Sequence, residues 1–293
     1  MKNRNLFHSI EFYAVEFNTL GKLLRYKRAI IVGFVLLFSW SFSNGQTIQY
    51  GKSVYDFVSN HPIQAEPKST HTWLVSDKAQ VYSYDVDVRV VNFPSNPNRS
   101  WLYYFSLQVN FTDHDEWSHG GIQYANAAEF ANSNNQGVNW GGGSDWAGYG
   151  GIGRTNVPYT WEIGKWYRYR VWRLNKNENG LWEWLFTILD YQTGNERQIG
   201  IVVTKSDWIK SANVWIETGY GVQCETDRAT VQWRNPNFKS TSGGFVPSQG
   251  VATYNGTCSG ANSTNQGLMS SSPLVWFQTT NSSRTVMPNQ RLW

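Results

Sequence analysis

The chain has 293 residues, 25 Lys/Arg against 21 Asp/Glu, and 16 Trp, with only two cysteines. Residues 1–45 hold six of the basic and two of the acidic residues, so the remaining stretch is formally neutral, with 19 of each. That balance excludes a nucleic-acid partner read from bulk charge, and a length of about 250 residues excludes a fold that needs metal or disulfide staples for its core.

In chain order, Lys22, Arg25, Lys27 and Arg28 precede an apolar run from Ala29 to Phe38 that is too short to span a bilayer comfortably. It reads as the apolar segment of a signal peptide, with Ser43 and Gly45 as the small residues before a cleavage near Gly45. The expectation is residues 1–45 as signal peptide, 46–240 as a β-sandwich, and 241–293 as a Ser/Thr/Asn-rich extension packed on it. The protein is then secreted, periplasmic or on the cell surface, with no membrane attachment after cleavage; an uncleaved N-terminal anchor is the competing reading.

"VYSYDVDVRV" (81–90) alternates Tyr82, Tyr84, Val86, Val88 and Val90 with Ser83, Asp85, Asp87 and Arg89, the period of a half-buried strand. "WLYYFSLQVNF" (101–111) sends Tyr103, Phe105, Leu107, Val109 and Phe111 one way and Tyr104, Ser106, Gln108 and Asn110 the other, and the two runs are expected to be antiparallel neighbours. Next comes "DHDEWSHGGIQ" (113–123), dense in carboxylates and histidines. Asp113 and Asp115 supply only part of a calcium loop, and His114 and His119 lack zinc spacing. The stretch therefore reads as a polar loop leading into a strand. No cofactor is expected, and a structural calcium is the one metal compatible with it.

Residues 125–160 are Gly/Asn-rich without alternation and are expected to be a long irregular loop presenting Trp140, Trp146 and Tyr149. Flat aromatic faces beside Gln123, Asp145 and Arg154 suit a sugar, whose CH face stacks while its hydroxyls take polar partners. Further strands are expected at 165–174, 181–190, 197–204, 212–221 and 229–235, with "NKNENG" and "YQTGNE" as hairpin turns and room for one helical turn in "TKSDWIKSA". Within these strands Trp172, Trp182, Trp184, Trp215 and Trp233 are expected to fill the core. Cys224 and Cys258 most simply form one disulfide in an exported chain, tying the tail back; free thiols are the alternative. The fold class expected is all-β, an antiparallel sandwich of jelly-roll or concanavalin-like type with a loop-rich C-terminal extension.

Three chemistries are open. Carbohydrate binding uses Gln123, Trp140, Asp145, Trp146, Tyr149 and Arg154, with an extracellular glycan as partner. A lyase would take a proton with His119 or Tyr149 and neutralise a uronate with Arg154. Glycoside hydrolysis needs two facing carboxylates; Glu129, Asp145 and Glu217 are the semi-apolar candidates, but their spacing selects no pair. A structural or adhesion role is the reading without chemistry.

"HGGIQYA", "VNWGGG", "YTWEIGKWYRYRVWRL" and "VWIETGYGVQC…VQWRNPNF" resemble, in that order, a family of exported bacterial proteins called domain of unknown function 3472. The matching residues are Gly120, Gly121, Ile122 and Gln123, then Val138, Asn139 and Trp140, then Trp161, Gly164 and Tyr167, within about residues 70–240. This chain departs where Gly121 follows Gly120 with no aromatic between them. The resemblance implies a sandwich in an exported protein of polysaccharide-degrading bacteria, and lends no catalytic residues.

Overall fold

In the computed structural model the residues described are 68–97, 102–112, 116–124, 135–143, 155–219, 227–255 and 263–293. They form fifteen strands: β1 (Lys68–Val75), β2 (Val81–Asn92), β3 (Leu102–Phe111), β4 (Trp117–Tyr124), β5 (Gln136–Gly143), β6 (Thr155–Pro158), β7 (Tyr167–Lys176), β8 (Trp182–Asp190), β9 (Glu196–Thr204), β10 (Ile209–Gly219), β11 (Thr230–Ser240), β12 (Gly243–Phe245), β13 (Gly250–Asn255), β14 (Thr264–Ser271) and β15 (Leu274–Thr280). The described residues contain no helix, and all the pairings are antiparallel. One hydrogen-bonded path links the strands and doubles back as two walls. The first runs β13-β1-β10-β3-β4-β5-β6 and the second β14-β15-β11-β2-β7-β8-β9, with β12 hairpinned onto β11. The β10–β2 pairing that joins them is confined to Ile209 opposite Val81.

The core lies between the walls because each strand's alternation buries one face. Phe105, Leu107 and Val109 of β3, with Ile122 of β4 and Val214 and Ile216 of β10, meet Val86 and Val88 of β2, Tyr169 of β7, and Trp184 and Phe186 of β8. Trp140 of β5 stacks on Phe186 across the gap, ring centroids 5.0 Å apart, and Phe111 meets Trp184 at 4.6 Å. A polar rivet crosses the same gap: the Tyr169 hydroxyl donates to the Phe105 carbonyl at 2.9 Å and accepts from Ile122 N–H at 2.8 Å. Such a satisfied hydroxyl removes the cost of burying it.

Four expectations are corrected. The runs 81–90 and 101–111 are both strands, but β2 pairs with β11 and β7 while β3 pairs with β10 and β4, so they belong to opposite walls. Their two apolar faces meet through packing, which alternation predicts, and not through a shared ladder, which alternation cannot predict. Residues 136–143 and 155–158, expected as irregular loop, are strands β5 and β6. The stretch 241–293 supplies β12 to β15, with β13 paired to β1 and β15 to β11, so it completes both walls. "TKSDWIKSA" makes no helical turn: bends at Lys205 and Trp208 lead into β10, and Trp208 is covered by the Arg173 guanidinium, 3.8 Å from its ring centroid. The hairpins at "NKNENG" and "YQTGNE" do form, joining β7 to β8 and β8 to β9. Their turns carry Gly180 and Gly194 at φ of 75° and 72°, backbone that favours glycine.

Candidate functional site

The face of the first wall that points away from the core is built from the polar half of each alternation. Cross-strand register sets it out in rows, since residues directly opposite share a face. One row runs Glu217 (β10), Tyr104 (β3), Gln123 (β4), Gly137 (β5). The next runs His71 (β1), Trp215, Ser106, Gly121, Asn139, and a third runs Asn213, Gln108, His119, Gly141. The side chains of His119, Gln123, Asn139, Asn213, Trp215 and Glu217 are all buried.

Tyr104 sits at the centre. Its hydroxyl donates to Asn139 Oδ1, lies beside the Gln123 amide, and feels the Glu217 charge. Burial first, then Glu217, pushes its pKa far above the ordinary tyrosine value, so it is a fixed neutral hydroxyl. The His119 ring meets Tyr104 edge-on at 5.9 Å, Trp215 at 5.5 Å and Trp117 at 5.1 Å. Trp215 Nε1 donates to Glu217 Oε2 at 2.9 Å, and its ring stacks on His71 at 5.2 Å.

Two groups here have displaced proton affinities. Burial raises the Glu217 carboxyl from 4.5 to about 7, against the opposing Trp215 hydrogen bond. Burial likewise lowers His71 from 6.5 to about 4, against its bond to Asn213. Glu217 therefore exchanges its proton near neutrality, as a general acid or base must. The Gln123 amide nitrogen is buried beside the Tyr104 hydroxyl and makes no well-formed hydrogen bond among the described residues. A buried donor left unmatched is costly, and it is matched if a ligand oxygen arrives.

The sequence expectations divide. His119 and Gln123 come together on this face. Glu217, the one of the three carboxylate candidates that lies among the described residues, is on this face. Trp140 is corrected: it is fully buried on the other face of β5, stacked on Phe186 with Nε1 donating to the Trp184 carbonyl at 3.2 Å, so no sugar can stack on it. Trp184 and Trp233 are core, as expected, but Trp172 is 37% exposed and Trp215 faces the polar rows. Glu129, Asp145, Trp146, Tyr149, Arg154, Cys224 and Cys258 lie outside the described residues, as do Asp113, His114 and Asp115. Of that charged stretch, Glu116 is a structural clamp: its two oxygens accept from Lys205 and Ser206 N–H at 2.9 and 2.8 Å, fastening the β9–β10 turn.

Sequence reading missed Tyr104, Asn139 and Trp215 as site residues. The signal was available in "ANVWIETG", where Val214 and Ile216 take the core and Asn213, Trp215 and Glu217 must share the opposite face. No group of three or more His, Cys, Asp or Glu among the described residues could hold a metal. No helix among them is long and apolar enough to cross a membrane.

No family model matches the chain, and no curated protein matches it. Solved structures similar to it include scytalido-glutamic peptidase with a transition-state-analogue inhibitor, at 8% identity and a TM-score of 0.43, covering 73% of this chain and 98% of that one. A second structure of that peptidase, with a peptide-based analogue, gives a TM-score of 0.42 over the same shares. SCP-B, a member of the eqolisin family of peptidases in complex with the tripeptide Ala-Ile-His, gives 0.40 at 8% identity, covering 75% of this chain and all of that one. Likenesses this distant say nothing about the activity of this chain.

Proposed function

We propose that the outward face of the first wall is an acid–base centre that hydrolyses an amide or ester carbonyl in an extended polymer outside the cell. The observation that carries this is the pairing, in one cross-strand row, of a buried carboxyl poised at about pH 7 with a buried amide donor that makes no well-formed hydrogen bond among the described residues. As carboxylate, Glu217 takes a proton from water while the water oxygen bonds to the carbonyl carbon. The carbonyl oxygen gains the negative charge and accepts from Gln123 Nε2, the role of an oxyanion donor. Protonated Glu217 then returns the proton to the leaving nitrogen or oxygen as its bond to carbon breaks. Tyr104 and Asn139 fix the floor between them, and Trp215 holds the Glu217 carboxyl in place.

Glycoside cleavage needs two carboxylates across the bond, and among the described residues of these rows Glu217 is the only one. A second reading keeps the face as a glycan-binding surface, favoured by the half-buried Trp117 on the same face as the amide of Gln108. The domain of unknown function 3472 resemblance and export through the N-terminal segment belong to this proposal as well.

Incubation with a denatured protein and with an acetylated polysaccharide tests it, reading new amines and released acetate. The wild-type protein releases one of them, E217Q loses the activity, and Q123A loses about 10²–10³-fold in kcat with the fold intact. Glycan binding without any product would leave the second reading. Absorbance from an unsaturated uronate product would instead assign β-elimination.

A further inference from the structure

The outward face of the second wall carries a separate constellation. Asp87 of β2 is fully buried, and its oxygens accept four hydrogen bonds. Oδ1 accepts from Arg168 Nε at 2.8 Å and the Tyr191 hydroxyl at 2.9 Å; Oδ2 accepts from Arg234 Nε at 3.1 Å and Asn235 Nδ2 at 2.9 Å. Register places Arg234, Asp87 and Arg168 directly opposite one another on β11, β2 and β7.

Both arginines are held to Asp87 through Nε. The hydrogen bonds to Asp87 thus leave the two terminal nitrogens of each, the planar fork that grips a carboxylate end-on, for another acceptor. Neither side chain is closed off: Arg168 is 26% and Arg234 30% exposed. Aromatic rings lie against them, with Arg234 4.0 Å from the Trp166 centroid and Arg168 5.4 Å from that of Tyr191, itself 40% exposed.

The charge is locally unbalanced. Two strand residues away, Asp85 and Glu196 are matched by Arg170 and Lys239. At the Asp87 row one carboxylate faces Arg168 and Arg234, and the adjacent row adds Arg89, which lies over Trp166 at 4.6 Å, hydrogen-bonds to the neutral Gln232 Oε1, and has no carboxylate partner among the described residues. An ion-pair lattice built for stability alone would not concentrate two surplus cations at one end.

We propose that the Arg234–Asp87–Arg168 row is an anion clamp for the carboxylates of an acidic polysaccharide, whose sugar faces pack against Tyr191. Asp87 positions the two forks: their strands stand about two spacings or roughly 10 Å apart, and both side chains converge on its one carboxylate. The site is independent of the Glu217 centre.

The test is calorimetric titration of the full chain with polygalacturonate, with neutral dextran, dextran sulfate and duplex DNA as comparison polymers. Polygalacturonate binds the wild-type protein and neutral dextran does not. R168K and R234K keep the charge but lose the fork, and each weakens binding tenfold or more, while K239A leaves it unchanged. Hydrolysis at the Glu217 centre is unaffected in these variants. Melting curves confirm the fold, and if R168K does not fold, R234K and Y191F carry the comparison. The proposal is overturned if polygalacturonate does not bind, if both lysine variants bind as the wild type does, or if dextran sulfate or DNA binds more tightly than polygalacturonate.

Discussion

Glu217 ties stability to pH with a sign that can be worked out. Its folded pKa of about 7 lies above the ordinary 4.5, so its stabilising contribution is complete below about pH 4.5 and is lost as pH rises through 7. A shift of this size is worth on the order of 3 kcal/mol. His71 has the opposite slope: held neutral down to about pH 4 instead of 6.5, it contributes stability above pH 6.5 that is lost as pH falls through that window. In the wild-type protein the two slopes largely cancel between pH 4 and 7. E217Q, whose amide oxygen can still accept from Trp215, removes one of them. Its stability by urea unfolding is expected to rise with pH from 4 to 6.5, and to exceed the wild type by about 3 kcal/mol at pH 8. A wild-type slope unchanged by the substitution would contradict the burial of a titrating carboxyl. At this scale the sequence named Gln123, His119 and Glu217, because amides, imidazoles and carboxylates in strands are conspicuous. Asn139 and Tyr104 were hidden, since either residue is ordinary until register sets it beside a carboxyl.

At the scale of the element, β4 and β5 decide how close the site strands lie. A Cβ on Gly121 would stand 2.1 Å from the Phe105 carbonyl oxygen, and one on Gly142 would stand 2.8 Å from the Trp117 oxygen. Both obstacles are backbone, which cannot rotate away. G121A is therefore expected to cost upwards of about 3 kcal/mol, at or beyond the usual range for overpacking, seen as a lowered urea midpoint. A change under 1 kcal/mol would mean the strands are further apart than described. The same glycines explain why β5 was illegible: "QGVNWGGG" offers few side chains to alternate, so its periodicity vanishes while its ladder with β4 remains. Trp140 was misplaced for that reason, and W140A should cost about 3–5 kcal/mol as a core deletion without altering affinity for any glycan. Strands such as β2, β3, β7 and β8, with full alternation, were legible nearly to their ends.

Across the whole molecule, the C-terminal stretch holds both walls together. Beyond the β13 and β15 ladders, Gln278 Nε2 donates to Thr72 Oγ1 and the Val214 carbonyl, each at 2.9 Å, and Trp276 Nε1 donates to Thr72 at 3.1 Å. Trp293 packs against Trp276 at 4.9 Å and covers Gly250. A chain ending at residue 240 would leave β1 and β11 as open edges over a core lacking Trp276, and it is expected to be unfolded by circular dichroism and rapidly proteolysed. A folded, protease-resistant 46–240 fragment would restore the reading of 241–293 as an appendage. That reading came from composition: Ser, Thr and Asn normally mark loops, but here Asn265, Gln266 and Gln278 are buried and hydrogen-bonded within the sheet layers. Fold class follows from local alternation, whereas wall membership depends on long-range pairing that no short window carries.

The account stands most directly on where Glu217 gives up its proton. Carbon-13 NMR titration of glutamate side-chain carboxyls, comparing wild type with E217Q, is predicted to show one carboxyl titrating at about pH 7 that disappears in the variant. If every glutamate carboxyl titrates in the ordinary range near 4.5, Glu217 is not a poised acid–base group and the proposed centre fails.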